Sequence, residues 1–317
     1  MLRLCSFSTC REDLDVINGS GAVLKEFLAQ HRLDGLELMI CGEEIPAYIP
    51  VEKVYGVHLS YWPTWLDFWC HNSAELQREF GSAEQVASYY GSTDPKVLVE
   101  RYRHEIGRAV KLGAKYAVFH VSHARKEEVF SYRFHYDDAA VVTAAIELLN
   151  AVFAGFEPDI EVLLENLWWP GLTFLQPQLV EKALTEINFQ RIGLMLDTGH
   201  LMNTNLNLAS QRQGIEYVLQ TVENLGSLQR YIRGVHLHYS LSGNYVRKKI
   251  NEPGGRYDAD ATLAHVLAID QHLPFSDREV RRIIDRIQPG FLVHEFTFRN
   301  REKWSEYIRI QNEALGF

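Results

Sequence analysis

Eight apolar runs, rich in β-branched residues, recur along this chain at residues 2–8, 33–40, 54–60, 114–121, 160–166, 192–198, 232–239 and 290–296. Continuous apolar runs of this length read as strands buried on both faces, which is how parallel sheets are built. Helical periodicity occupies most of the gaps, at 20–32, 95–113, 137–156, 174–187, 214–225, 276–287 and 302–315. Gly113 is a suitable helix stop, and the paired acids Asp137 and Asp138 suit a helix N-terminus. Between the second and third runs, CGEEIPAYIPVEK holds two prolines and reads as a loop. Eight strands alternating with helices predict an α/β fold, a (β/α)8 TIM barrel. The competing doubly wound sheet usually carries a glycine-rich turn after its first strand, and SFSTCRED is not one.

The 317 residues are read as a single domain, 1–317, with long loops at 61–95 and 240–274 covering the C-terminal face of the barrel. A formal charge of −9 argues against a broad basic surface for nucleic acid or anionic lipid. The short basic runs RYRHEIGR and YVRKK read as solvated faces. No apolar run approaches the roughly 18 residues of a membrane span. The N-terminus lacks a signal-peptide pattern, so a cytoplasmic protein is expected. Its four cysteines, Cys5, Cys10, Cys41 and Cys70, form no CxxC pair and are expected to be reduced thiols.

Polar residues gather where the strands end. The third ends in His58; the fourth in His120, with His123 just beyond; the fifth in Glu165; the sixth in Asp197, with His200 three residues on. The seventh carries His236 and His238, the eighth His294 and Glu295. Seven of the 13 histidines thus lie at or just past strand ends, and in a barrel those ends converge on one mouth. Imidazoles and carboxylates crowded together and left unpaired cost free energy that a cation would offset. The mixture suits Zn²⁺, Mn²⁺ or Fe²⁺ better than Ca²⁺. A lone strand histidine is more often a hydrogen-bonded core residue, and His238 and His294 are read that way. Adjacent residues on a strand face opposite ways, so Glu295 takes the inward position and His294 the outward one.

Taken together, HLSY, FHVSH, LLENL, LDTGH, GVHLH and HEF resemble the xylose-isomerase-like barrels, which include endonuclease IV and the sugar-phosphate isomerases and epimerases. The resemblance spans essentially the whole chain. IDQH, with Asp270 and His272, resembles the D-x-H that supplies a third metal in endonuclease IV. The resemblance implies one to three divalent ions: His58, His120 and Glu165 on the first, Glu165, Asp197, His236 and Glu295 on the second, His200, Asp270 and His272 on the third. It also puts Tyr61 where a lesion-probing side chain stands in endonuclease IV. Two departures separate this chain from the named subgroups. The acidic CGEEIP replaces a loop that carries an arginine in endonuclease IV. Ser242 stands where ketose epimerases carry theirs.

Three functions follow as expectations. The first is a metal-dependent phosphoester hydrolase, favoured by the extra histidines and the D-x-H. The second is a sugar or sugar-phosphate isomerase or epimerase with Glu165 and Glu295 as its acid/base pair. The third is a non-catalytic metal- or ligand-binding barrel. Acidity, GLEL on the second strand and the tryptophans point to a small, sugar-like or phosphorylated partner, and away from duplex DNA. Trp62, Trp65, Trp69, Trp168 and Trp169 are expected near the mouth, most of them packing a loop lid.

Overall fold

The computed structural model describes residues 1–251 and 259–317; residues 252–258, inside the expected 240–274 loop, lie outside that description. The eight strands are β1 (Leu2–Ser8), β2 (Gly35–Met39), β3 (Val54–His58), β4 (Tyr116–His120), β5 (Glu161–Glu165), β6 (Ile192–Asp197), β7 (Ile232–Leu237) and β8 (Phe291–His294). They pair in parallel and in chain order, and Leu2 opposite Phe291 closes the barrel. Each expected strand is present, shortened at one or both ends in most cases. The closed eight-stranded barrel with surrounding helices is the expected fold.

Two layers hold it together. Leu4, Tyr116, Val118, Leu163, Met195 and Val293 fill the inside of the barrel. Gly56 makes room for Tyr116: a Cβ there would stand 2.3 Å from its ring. A larger layer fills the space between strands and helices. Within it Trp304 is fully buried and stacked between Phe27 and Phe298. The acids at 137–138 act as expected, with Asp137 capping the helix Asp138–Phe153 by accepting from Ala140 N–H at 2.8 Å.

The C-terminal face carries the long connections. The 61–95 loop is organised into the short helices Trp65–Trp69, Ser73–Phe80 and Ala83–Tyr90. A buried ion pair ties it to the loop after β4. Arg125 donates to both Asp67 oxygens at 2.7 and 2.9 Å, and Tyr136 hydroxyl adds a bond at 2.7 Å. Trp65 donates its indole N–H to Ser122 O at 2.8 Å across the same junction. Such anchoring gives the mouth a fixed wall on this side.

The cysteine expectation is corrected. Cys10 and Cys41 are disulfide-bonded, with Cα atoms 5.3 Å apart, while Cys5 and Cys70 are free. The cause is register. Ser8 pairs with Met39, so positions two residues further along each strand emerge side by side. Thr9 completes the junction by donating N–H to Met39 O and accepting from Cys41 N–H. The bond removes the cysteine argument for a reducing compartment. Among the described residues, no helix is long and apolar enough to cross a membrane.

Candidate metal centre

The strand ends deliver their side chains to one place. β5 ends in Glu165, which is fully buried. Its Oε2 lies 3.2 Å from His58 Nε2 and 3.0 Å from His120 Nε2. Its Oε1 lies 3.1 Å from His200 Nδ1 and 3.3 Å from His236 Nδ1. One carboxylate therefore faces two different pairs of imidazoles, one pair on each oxygen.

Asp197 ends β6 and caps the short helix Thr198–Asn203, accepting from His200 N–H at 2.6 Å. Asn166 clamps the same strand end, donating to Asp197 O and accepting from Asp197 N–H. The i, i+3 spacing of Asp197 and His200 is thus one turn of helix, with both side chains turned into the mouth. His236 Nδ1 sits 2.9 Å from Glu295 Oε2 and 3.7 Å from Asp197 Oδ2. Asp270 and His272 arrive from the loop after the helix Ala259–Ile269. That loop is pinned by reciprocal backbone bonds between Tyr239 and Leu273 at 2.8 and 3.1 Å. Asp270 Oδ2 is 3.1 Å from His200 Nε2 and 3.2 Å from His272 Nε2. His272 adopts a left-handed backbone, φ 48°, a conformation of the kind that concentrates at functional sites.

All nine residues singled out by sequence meet at the mouth. Among the described residues, potential ligand atoms here form four neighbouring sets, each within 4.8 Å: His58, His120 and Glu165; Glu165, Asp197, His236 and Glu295; His200, His238, Asp270 and His272; and Glu37, His58 and His236. His238 is buried and hydrogen-bonded, as expected of a core histidine, but it is so within the site. Its Nε2 faces Asp197 Oδ2 at 2.9 Å and its ring stacks on His272. The outward reading of His294 stands: it accepts from Gln311 Nε2 at 2.9 Å, and burial pushes it down to about 3. His123 also stays outside the cluster, accepting from Leu66 N–H. Ser242, at the position of the epimerase arginine, bonds Asn203 instead.

Sequence reasoning missed Glu37 as a member of the site. It lies on β2, 1% exposed, with its carboxylate 2.9 Å from His236 Nε2 and accepting from Tyr116 hydroxyl at 2.8 Å. The signal was an acid, Glu37, in the middle of the apolar run LDGLELMI, whose other acid, Asp34, stands near its start. Held by Glu37 on one side, His236 turns Nδ1 toward Glu165, Asp197 and Glu295.

The electrostatics are those of a site built around charge. Burial would raise the carboxyl of Glu165, but His120 and His236 hold it well below the usual range. Burial likewise opposes charge on His236, yet Glu295, Glu37 and Glu165 raise it well above an ordinary imidazole. His58 is raised to about 9 against its burial by Glu165. The fit to a cation is geometric. His120 Nε2, His236 Nδ1, Glu165 Oε1 and Glu295 Oε2 are buried and make no aligned hydrogen bond, although each imidazole nitrogen has a carboxylate oxygen, and each carboxylate oxygen an imidazole nitrogen, within 3.3 Å. Nitrogens and oxygens that close, yet off hydrogen-bond alignment, suit lone pairs converging on a shared point between them.

The sequence profile of the xylose isomerase-like TIM-barrel family matches residues 52–313. The chain belongs to that family. A probable endonuclease 4 from Solibacter usitatus (strain Ellin6076) is 27% identical over 164 residues, 49% of this chain and 52% of that protein. The match therefore spans about half the length of this curated relative. Two solved members share the fold along the whole chain. Endonuclease IV from Thermus thermophilus is 14% identical at a TM-score of 0.54, covering 100% of this chain and 99% of that one. A 3-keto-D-glucoside 4-epimerase from E. coli is 12% identical at 0.53, covering 100% of both chains.

Gly199, inside the DTGH segment, is required by this packing. A Cβ there would stand 2.0 Å from His238 Cε1 and 2.3 Å from its Nδ1. Gly199→Ala is expected to displace His238 from Asp197, lowering metal affinity about tenfold or more and stability by about 1–3 kcal/mol. Metal titration and thermal melts of the variant check this. Unchanged affinity would mean that His238 does not support Asp197.

Proposed function

We propose that this chain is a metal-dependent phosphoester hydrolase with a multinuclear His/Asp/Glu centre. The observation that carries the reading is the two-sided environment of Glu165, whose oxygens face separate imidazole pairs as a carboxylate bridging two ions would. His58 and His120 would complete the first ion with Glu165, and Asp197, His236 and Glu295 the second. His200, Asp270 and His272 would hold a third. Zinc, manganese or iron(II) fits this donor set. Bound cations would polarise the phosphoryl oxygens and make a water nucleophilic near neutral pH.

The residues divide the remaining work. Water oxygen bonds to phosphorus, the phosphorus–oxygen bond to the alcohol breaks, and the alcohol oxygen leaves with the bonding pair and takes up a proton. The net change is a phosphomonoester plus water going to an alcohol plus phosphate. Glu295 has a side chain 16% exposed, against 0% for Glu165. It is the carboxylate that water reaches, and so the one to accept the proton of the attacking water. Asn166 and Glu37 keep Asp197 and His236 in place.

A second reading has its own support. Glu165, Asp197, His236 and Glu295 form a complete one-ion set, and Glu165 and Glu295 both face His236 Nδ1, at 3.3 and 2.9 Å. A sugar isomerase or epimerase would need no more. The two readings differ in ion count. Purified protein is expected to carry more than one ion per chain. His58→Ala and His272→Ala are each expected to remove about one ion and to lower phosphoester turnover by roughly tenfold to a hundredfold. Elemental analysis with a phosphoester panel makes the test. One ion per chain, unchanged in both variants, rejects the hydrolase and leaves the isomerase.

A further inference from the structure

A cleft of about 580 Å³ opens beside the cluster. Its floor includes His120, His200 and Asp270, so it leads straight into the candidate metal centre. Its walls are largely aromatic and aliphatic side chains, with Tyr61, Tyr89, Trp168, Trp169 and Val266 among them. The aromatic wall touches the imidazoles themselves. Tyr61 meets His120 edge-on with centroids 4.7 Å apart, and Trp168 lies 5.0 Å from His200. The tryptophan expectation is thereby divided: Trp62, Trp65 and Trp69 pack into the fold, whereas Trp168 and Trp169 line the cleft.

The cleft carries little charge. Lys126 and Glu79 both line its side, one cation and one carboxylate, and the Lys126 backbone N–H donates to Glu79 Oε1 at 3.2 Å. The Thr64 hydroxyl is already engaged with Tyr90. The lining offers the Tyr61 hydroxyl and the indole N–H groups of Trp168 and Trp169 as unpaired polar groups, fewer than the hydroxyls that a polyol carries on almost every carbon, and hydroxyls buried without partners are unfavourable. A nucleic-acid strand would need a track of cations for its phosphates, and Lys126 is a single one. The volume falls in the range of small-molecule sites. What these walls match is a flat, apolar group, because ring faces stack on ring faces and exclude water.

We propose that the substrate is a small phosphoester whose alcohol portion carries an aromatic or similarly flat apolar ring system. The ring sits in this cleft while the phosphate meets the cluster. This rests on the hydrolase reading and narrows it from sugar-like to ring-bearing esters.

The test compares two primary phosphoesters with the metal-loaded protein, 2-naphthylmethyl phosphate and glucitol 6-phosphate. Binding of the corresponding non-hydrolysable phosphonates is measured alongside by calorimetry. The naphthyl ester is expected to be turned over with kcat/KM about 30-fold higher or more, with the difference mostly in KM. Its phosphonate should bind correspondingly tighter. Leu263 lines the cleft and is 59% exposed, so Leu263→Glu can place a charge on the wall without unfolding the chain. That variant should weaken the naphthyl phosphonate about tenfold with metal content unchanged. If the naphthyl phosphonate binds selectively but no phosphoester is hydrolysed, the cleft assignment stands and the hydrolase reading falls. If glucitol phosphate is hydrolysed as well or better, the ring proposal is overturned and the hydrolase remains. If neither phosphonate binds and neither ester reacts, both fall.

Discussion

Glu165→Gln is expected to strip the centre of more than one ion and to lower phosphoester turnover by about a thousandfold or more. Both oxygens of Glu165 are in use, Oε2 toward His58 and His120, Oε1 toward His200 and His236. Glutamine keeps the shape but presents one oxygen and one NH₂ group. Whichever way the amide turns, one imidazole pair meets a donor where it had an acceptor, and a negative charge shared by two sites is gone. Removing a single-site ligand should cost one ion; removing a bridge should cost two. Ion counts therefore separate a bridge from an ordinary ligand, whatever the assay substrate. Elemental analysis of the variant beside His58→Ala, with a melt to show that both are folded, gives the answer. A Gln variant that loses one ion only, or none, excludes the bridging role.

The barrel was legible because parallel strands buried on both faces leave long apolar runs, and because helices punctuate them at regular intervals. Most of the site was legible for a related reason. Inside such a run a polar residue is conspicuous, and the barrel brings every strand end to one mouth. Alternation correctly turned Glu295 inward and His294 outward. The failures have physical causes too. Glu37 sits in the middle of its strand, below the mouth, so it did not register as part of a strand-end constellation. His238 was read as a hydrogen-bonded core histidine, which it is, but nothing in the sequence said that its partner is Asp197. The Cys10–Cys41 bond depends on the register of β1 against β2, which no spacing of 31 residues reveals. Asp270 and His272 were singled out only by resemblance to a known D-x-H, and the Tyr239–Leu273 bridge that pins their loop at the mouth was not legible in the sequence.

Glu37 also gives the second large effect. A metal-binding imidazole is usually fixed by an acceptor on its other nitrogen, and loss of that acceptor weakens metal binding about 10- to 100-fold. For His236 that acceptor is the Glu37 carboxylate, at 2.9 Å from Nε2. Both Glu37 oxygens lie near Nε2, and Oε2 also accepts from Tyr116 hydroxyl. Glutamine with its oxygen at the Oε2 position keeps an acceptor for Tyr116 and His236, but the negative charge is gone and its NH₂ stands where Oε1 lay, 2.9 Å from the Nε2–H of His236, donor against donor. Glu37→Gln is therefore expected to lower affinity for the central ion about 10- to 100-fold. Tyr116→Phe supplies the contrast. It leaves one buried carboxylate oxygen with a partner fewer, at about 1–2 kcal/mol of stability, while the contact between Glu37 and His236 survives. If Glu37 matters only for packing, both variants will lower the melting temperature of metal-free protein and neither will change metal affinity. If Glu37 aims His236, affinity falls in Glu37→Gln and holds in Tyr116→Phe. Competition against a chelator of known affinity reads that difference directly, without any substrate, so the role of Glu37 can be decided before the reaction is identified.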